Sequence, residues 1–293
     1  MKGTRVTRQL LTVLVPCKNE RKNIRPCLES VRDLADELLV ADSGSTDGTL
    51  AIVREIGNCR VIRRDYVNSA DFKNWAIPQA RHPWVLIVDA DERVPEPLAR
   101  EIREILENPP EDMDAFSCDF QDFFMGHPLR YAGWDSRSIR LIRRDVCRYQ
   151  MRRVHADVVV DPNRVGKLKT RIPHYSVWDY NDFILKYARY TTWASDDLWE
   201  KGRRSSFFGL TLRPVMRFLH LYLIRGGFLD GIPGLQVCAF FTFLSTYMKQ
   251  AKLWQREFGL PQPDPEEQEA SPTILAYPES TETPDAQKYR RAA

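Results

Sequence analysis

The stretch Val85-Leu86-Ile87-Val88-Asp89-Ala90-Asp91-Glu92 constrains this chain more than any other. It is bounded by Pro83-Trp84 and by Pro95. Its apolar part runs without polar alternation, the pattern of a strand buried on both faces of a parallel sheet. Two carboxylates follow, one residue apart. In open α/β sheets ligands bind beyond the carboxyl ends of the strands, so Asp89 and Asp91 fall where a ligand would sit. Such a pair can hold a divalent cation, which in turn neutralises a diphosphate. The competing structural reading is that Asp89 ends the strand and Asp91 caps the next helix.

The preceding residues set the context. Leu10 to Val15 reads as a strand ending in the loop Pro16-Cys17-Lys18-Asn19-Glu20. Asn23 to Leu34 has apolar residues at Ile24, Leu28, Val31 and Leu34, the spacing of an amphipathic helix. Glu37 to Ala41 is a second strand, running into Asp42-Ser43-Gly44-Ser45-Thr46-Asp47-Gly48-Thr49. The glycines and small hydroxyls there, Gly44 and Ser45 among them, permit close backbone approach, and Thr46 or Asp47 can cap a helix over Leu50 to Ile56. Arg60 to Arg64 is a short third strand, and Ser69 to Ala80 a helix carrying Lys73-Asn74. Four strands alternating with helices predict a doubly wound α/β unit. Ala115 to Phe124 and Arg137 to Arg143 read as strands that extend its sheet.

No GxGxxG follows the first strand and no GxxxxGK[ST] occurs, which argues against a dinucleotide oxidoreductase or a P-loop enzyme. Instead Asn19-Glu20, Asp42, Asp89 and Asp91 would line one crevice, suited to a metal–diphosphate ligand with a base and a ribose. The net charge of +3 is too small to suggest nucleic acid, and no nucleic-acid partner is expected. Cysteines 17, 27, 59, 118, 147 and 238 form no CxxC pair, so neither a zinc site nor a disulfide framework is expected. With no recognisable signal peptide, they fit a reducing cytoplasm.

The blocks Val15-Pro16-Cys17-Lys18-Asn19-Glu20, Asp42 to Thr49, Lys73-Asn74 and Asp89-Ala90-Asp91-Glu92 resemble, in order and spacing, those of family 2 glycosyltransferases. More narrowly, the chain is similar to the branch that includes bacterial lipopolysaccharide-core β-glucosyltransferases. That similarity runs through Gly133-Trp134, Arg140-Leu141-Ile142-Arg143-Arg144, Val154-His155, Pro173-His174-Tyr175-Ser176, Gly226 to Gly231 and Lys249 to Trp254. It covers roughly residues 10 to 257.

The resemblance implies a GT-A fold, Rossmann-like, and inverting transfer from a UDP-sugar to a cell-surface glycolipid such as a lipopolysaccharide core. Asp42 would hydrogen-bond the base, with Pro16, Asn19 and Glu20 shaping the base and ribose pocket. Lys73 would lie near the nucleotide. Asp89 would take the ribose or a metal-bound water, and Asp91 would ligate Mg²⁺ or Mn²⁺. His155 matches a further metal ligand, with His174 in reserve. Inversion needs a base to accept the acceptor proton. Asp135, just ahead of Ile139-Arg140-Leu141, is the first candidate. Relatives often read Val-His-Glu where this chain has Val154-His155-Ala156-Asp157, so Asp157 is the second. Phe120, Phe123, Phe124, Tyr131 and Trp134 could stack on sugar, although such clusters are more often core.

Asp179 to Lys201 reads as a helix. Beyond it, Arg213, Arg217 and His220 recur at helical spacing among bulky apolar residues, and no acid occurs between Lys201 and Leu229. Leu235 to Met248 is almost wholly apolar but, as a 14-residue stretch, too short for a bilayer core of about 30 Å. The one-sided charge points to a helical extension lying on an anionic membrane face. The expected organisation is an N-terminal tail (1–9), a nucleotide-sugar half (10–113), an acceptor half (114–178), the helical extension (179–257) and a disordered tail (258–293). The protein would thus be peripheral on the inner face of the cytoplasmic membrane. Three rival readings remain. They are a polyprenyl-phosphate glycosyltransferase, a haloacid-dehalogenase-type phosphatase and a non-catalytic nucleotide-sugar-binding protein.

Overall fold

The first strand is buried on both sides. Leu11, Val13 and Val15 of β1 (Leu11–Cys17) pack with one set of helices while Leu14 packs the opposite way. The same division holds in β2 (Glu37–Asp42), where Leu38 and Val40 face one layer and Leu39 and Ala41 the other. It recurs in β4 (Trp84–Ile87). This is why these strands read as continuous apolar runs. One layer holds α1 (Ile24–Val31), α2 (Thr49–Ile56) and α4 (Glu96–Glu107), and the other α3 (Ser69–Ala76). The computed structural model describes residues 8–134, 136–151 and 157–259. The expected tail from residue 260 onward lies outside them.

β1 pairs in parallel with β2 and β4, and β2 with β3 (Cys59–Arg63). Beyond β4 the sheet turns mixed. Counting the two-residue strand His127–Pro128 as β6, β7 (Arg137–Arg143) runs antiparallel to both β4 and the ten-residue β5 (Ala115–Phe124). A small hairpin joins β8 (Arg148–Tyr149) to β9 (Val158–Val159). Two further strands, β10 (Val165–Lys167) and β11 (Ile172–Val177), pair in parallel with successive parts of β5. The fold is GT-A-like: a mixed sheet flanked by helices, with a separate helical bundle at the C-terminal side.

That bundle starts with α5 (Tyr180–Glu200), capped by Asp179, whose carboxylate accepts the Asp182 amide at 3.0 Å. α6 (Phe207–Leu210) and α7 (Leu212–Leu219) follow, then a π-helical turn (His220–Ile224). The chain reverses at Gly226, whose φ of +72° suits glycine. A helical run then continues from Gly227 to Phe258, through α8 (Gly231–Phe241), a π segment (Thr242–Tyr247) and α9 (Met248–Phe258). The start of this run folds back on α8: a Cβ on Gly227 would lie 2.6 Å from the Cys238 sulfur, and one on Gly234 2.0 Å from the Gly227 carbonyl oxygen.

This corrects the expectation that the apolar segment is too short for a bilayer. The run is 32 residues long, and an 18-residue window of it reaches a mean hydropathy of 1.4, which by length and composition is enough to cross a membrane. Pro233 sits in the first turn of α8, where its missing N–H costs nothing. Among the expected sugar-stacking aromatics, Phe120 and Phe124 are core. Trp134 packs edge-on against Phe241 of α8.

Candidate active site

The carboxyl ends of β1 and β4, with the residue after β2, open onto a cleft of 640 Å³. Pro16, Cys17, Lys18, Asn19 and Glu20 line it from the first loop, Ser43 from the second, and Lys73, Asp89, Ala90 and Asp91 from the far side. His174 and residues of α5 complete it.

The loop after β1 is locked to the loop after β2. The Asn19 amide donates to Ser45 Oγ at 2.9 Å, and Asn19 Oδ1 accepts the Thr46 amide at 2.8 Å. Asn19 has φ of +56°, a left-handed conformation that asparagine tolerates better than most residues. Asp42 is 1% exposed. Its carboxylate accepts the amides of Gly44 at 3.2 Å and Ser45 at 3.1 Å, so it orders this loop from beneath while Ser43 and Cys17 face the cleft. Burial, then the nearby charge of Asp91, pushes Glu20 up to about 7, opposed by a hydrogen bond from Asn23.

The strand of β4 stops at Ile87, and the next residues form a tight acidic turn. The Glu92 amide donates to the Asp89 carbonyl at 2.8 Å, and Glu92 Oε2 accepts the Asp89 amide at 3.1 Å. Glu92 is buried, and its other oxygen pairs with Arg140, which projects from β7 and also reaches Asp89 at 3.0 Å. Lys73 from α3 meets the other Asp89 oxygen at 2.8 Å. Burial opposes ionisation of Asp89, but Lys73 and then Arg140 outweigh it and hold the carboxyl near 2. Asp89, expected at the ribose or metal, is thus the centre of a three-sided ion cluster with Lys73 and Arg140.

Asp91 points elsewhere. Its backbone carbonyl accepts the Tyr175 amide at 2.8 Å, and Glu92 bridges His174, so the acidic turn lies alongside β11. His174 Nε2 comes within 3.4 Å of Asp91 Oδ2, while its Nδ1 contacts Asp122 Oδ1 at 2.6 Å. The pairing of β11 with β5 sets His174 directly beside Asp122. Burial disfavours both charges; even so, Asp91 and the Asp122 hydrogen bond raise the imidazole to about 10, and His174 keeps Asp91 well below the usual carboxylate range.

Among the described residues no group of three or more acidic, histidine or cysteine side chains is arranged around one point for a metal. What is present is two donors, Asp91 and His174, with the second ring nitrogen of His174 oriented by a carboxylate. That is the usual setting of a metal-ligating histidine. A hard cation that keeps water and diphosphate oxygens in its remaining positions needs no more protein donors than this.

Two expected site residues, Asp135 and His155, lie outside the described residues. Asp157 is exposed next to β9, its carbonyl accepting the Gln150 amide at 2.8 Å, and it does not line the cleft. Sequence reasoning did not single out Asp122, Arg140 as an ion partner, or the α5 residues. Arg140 carried a signal, a cation alternating with apolar residues inside a strand.

The Glycosyl transferase family 2 profile matches residues 12–148. The lipopolysaccharide core biosynthesis glycosyltransferase LpsC of Rhizobium meliloti (strain 1021) is 30% identical over 255 residues, covering 82% of this chain and 93% of that protein. The chain belongs to glycosyltransferase family 2. A Rickettsia typhi protein, uncharacterized glycosyltransferase RT0209, is 27% identical over 271 residues, covering 85% of this chain and 88% of its own. Among solved structures, the mannosyltransferase PcManGT of Pyrobaculum calidifontis, in complex with GDP-Man and Mn²⁺, covers 87% of this chain and 89% of its own at 16% identity and a TM-score of 0.47.

Proposed function

We propose that this protein is an inverting hexosyltransferase that moves a sugar from a UDP-sugar to a membrane-displayed glycolipid of the lipopolysaccharide-core type. The observation that carries the reading is the Asp91–His174–Asp122 arrangement at the mouth of the 640 Å³ cleft. The field that holds a proton on the imidazole also attracts a divalent cation, Mg²⁺ or Mn²⁺. Such an ion would neutralise charge developing on the departing diphosphate. Residues 10–113 supply the donor side, with Pro16, Asn19 and Glu20 around the base and ribose. Asp42, Gly44 and Ser45 keep the second loop in shape. Residues 114–178 supply the acceptor side and the base, for which Asp135 is the first candidate and Asp157, which does not line the described cleft, the second.

A thermal-shift comparison of UDP-sugars with and without Mn²⁺ tests the donor and the metal together, because a ligand that binds only the native state stabilises it. Saturating UDP-sugar with Mn²⁺, at about 100 times its Kd, is expected to add about 2.7 kcal/mol. Omitting the metal is expected to remove most of that gain. Stabilisation by GDP-sugars alone would reject the donor assignment.

The membrane side of the proposal rests on the bundle. Phe207 is 84% exposed, Ile224 76% and Ile232 71%. Leu212, Val215 and Met216 of α7 are also exposed, and no residue of α7 is buried. The charges of Arg213 and Arg217 act on Lys249 of the facing arm, so three cations cluster beside this apolar face. Lys252 is committed elsewhere, to the Ala188 carbonyl and Thr192 of α5. Each basic side chain near an anionic leaflet contributes about 1 kcal/mol, lost as salt screens it. The chain should float with anionic vesicles and less with neutral ones. Arg213→Glu with Arg217→Glu should weaken flotation without lowering transfer to a soluble acceptor. Failure of the wild type to float with anionic vesicles would end the membrane reading. Retention in high salt would favour insertion of the Gly227–Phe258 helix over surface binding.

A further inference from the structure

The cleft has a wall that belongs to none of the sheet loops. Asp182, Leu185, Lys186, Arg189 and Tyr190 of α5 line it. Their spacing places them on one face of the helix. α5 is tied to the first donor loop at its start. Lys22 pairs with Asp179 at 3.3 Å and Asp182 at 3.6 Å, and Trp178 Nε1 donates to Asn23 Oδ1 at 2.8 Å. The helix therefore sits in a fixed relation to the loop that carries Asn19 and Glu20.

The cations around the cleft are not equivalent. Lys73 is spent on Asp89 at 2.8 Å, and Arg140 on Asp89 and Glu92. Arg189 lies over the Trp193 ring, 5.7 Å from its centroid, at the exposed rim. Lys186 is half-buried and lines the cleft, and no ion pair within 4 Å joins it to an acid among the described residues. Its ammonium nevertheless lies in the field of Asp91, Glu20 and Asp89, which keeps it charged against the effect of burial.

We infer that Lys186 is a diphosphate-binding residue of this enzyme: α5 lowers its ammonium into the cleft that Asp91 and His174 also line, onto the phosphate oxygens of the nucleotide. The inference rests on the donor reading above and adds a residue and an element to it. The C-terminal bundle then forms part of the donor site itself. Departure of the sugar leaves a full extra charge on the diphosphate, and a compact ammonium already positioned there stabilises that charge without reorganisation.

The test compares UDP with uridine on the full-length chain in Mn²⁺ buffer, by calorimetric titration. Lys186→Gln should weaken UDP by about tenfold or more, the loss of one charge-assisted hydrogen bond. Uridine, which lacks phosphate, should bind the variant as it binds wild type. Lys186→Arg should recover most of the UDP affinity, and thermal unfolding of both variants should stay close to wild type. If Lys186 only balances the acids of the empty cleft, Lys186→Gln will tighten Mn²⁺ alone and leave UDP unchanged, which overturns the inference. Equal losses for UDP and uridine overturn it too, since they report a disturbed pocket. A wild-type chain that binds no UDP overturns the donor reading, and the inference with it.

Discussion

Asp91→Ala is expected to abolish metal-dependent donor binding and to lower transfer by about a thousandfold, the loss of several kcal/mol of charge stabilisation. Its fold should survive. The Asp91 carboxylate lies past the end of β4, and His174 keeps its Asp122 partner when Asp91 is gone. The checks are turnover with a UDP-sugar, the Mn²⁺-dependent thermal shift and the midpoint of urea unfolding. Full activity in the variant would remove the premise of the site. Asp89→Ala makes an instructive contrast. It strips Lys73 and Arg140 of a shared partner, so it should lose stability as well as activity.

Arg140→Leu carries the largest expected effect on stability. The guanidinium is buried and serves Asp89 and Glu92 together, and Glu92 is 1% exposed. Breaking a buried pair from one side costs about 3 to 5 kcal/mol, because the remaining charge keeps its desolvation penalty. Burial already raises Glu92 to about 7 despite Arg140, so in the variant it should take up a proton and hold the loss near the lower end of that range. Urea unfolding measures the change. Arg140→Lys should fall between wild type and Arg140→Leu, since it keeps a charge but must bring its ammonium to the place of the one terminal guanidinium nitrogen that meets both Asp89 and Glu92. A loss below about 0.5 kcal/mol, the scale of an ordinary surface substitution, would show that the cluster adds nothing to stability.

The alternation of strands and helices through β4 was legible because β1, β2 and β4 carry buried apolar runs and each helix an apolar stripe. The element ends differ from the sequence reading by a residue or two at most places. α1 and α3 are exceptions: α1 ends at Val31 rather than Leu34, and α3 stops at Ala76 before a short 3₁₀ turn that contains Pro78. Of the polar groups visible at strand ends, Asn19, Glu20, Asp89 and Asp91 do meet in one cleft, while Asp42 is buried beneath its loop and does not line it. What could not be seen was pairing over long sequence distance. Nothing in the spacing of Asp122 and His174 reveals that β5 and β11 run side by side. Nor does a DxD pattern say that one of its carboxylates is held by Lys73 and Arg140. α5 was read as a helix from its periodicity, but periodicity does not say what a helix covers.

His174 reaches Asp91 only through the register of β11 on β5, where it sits opposite Asp122. A slip of one residue would turn its ring to the far face of the sheet. The order of synthesis follows from this. Asp91 leaves the ribosome 83 residues before His174, the difference of the two positions. At about 5 to 20 residues per second that interval is roughly 4 to 17 s. During it β1 to β4 have all been synthesised, yet their acidic turn has no histidine beside it. The Asp91–His174 pair is therefore a late product of folding, formed only when the last strand takes its place on β5.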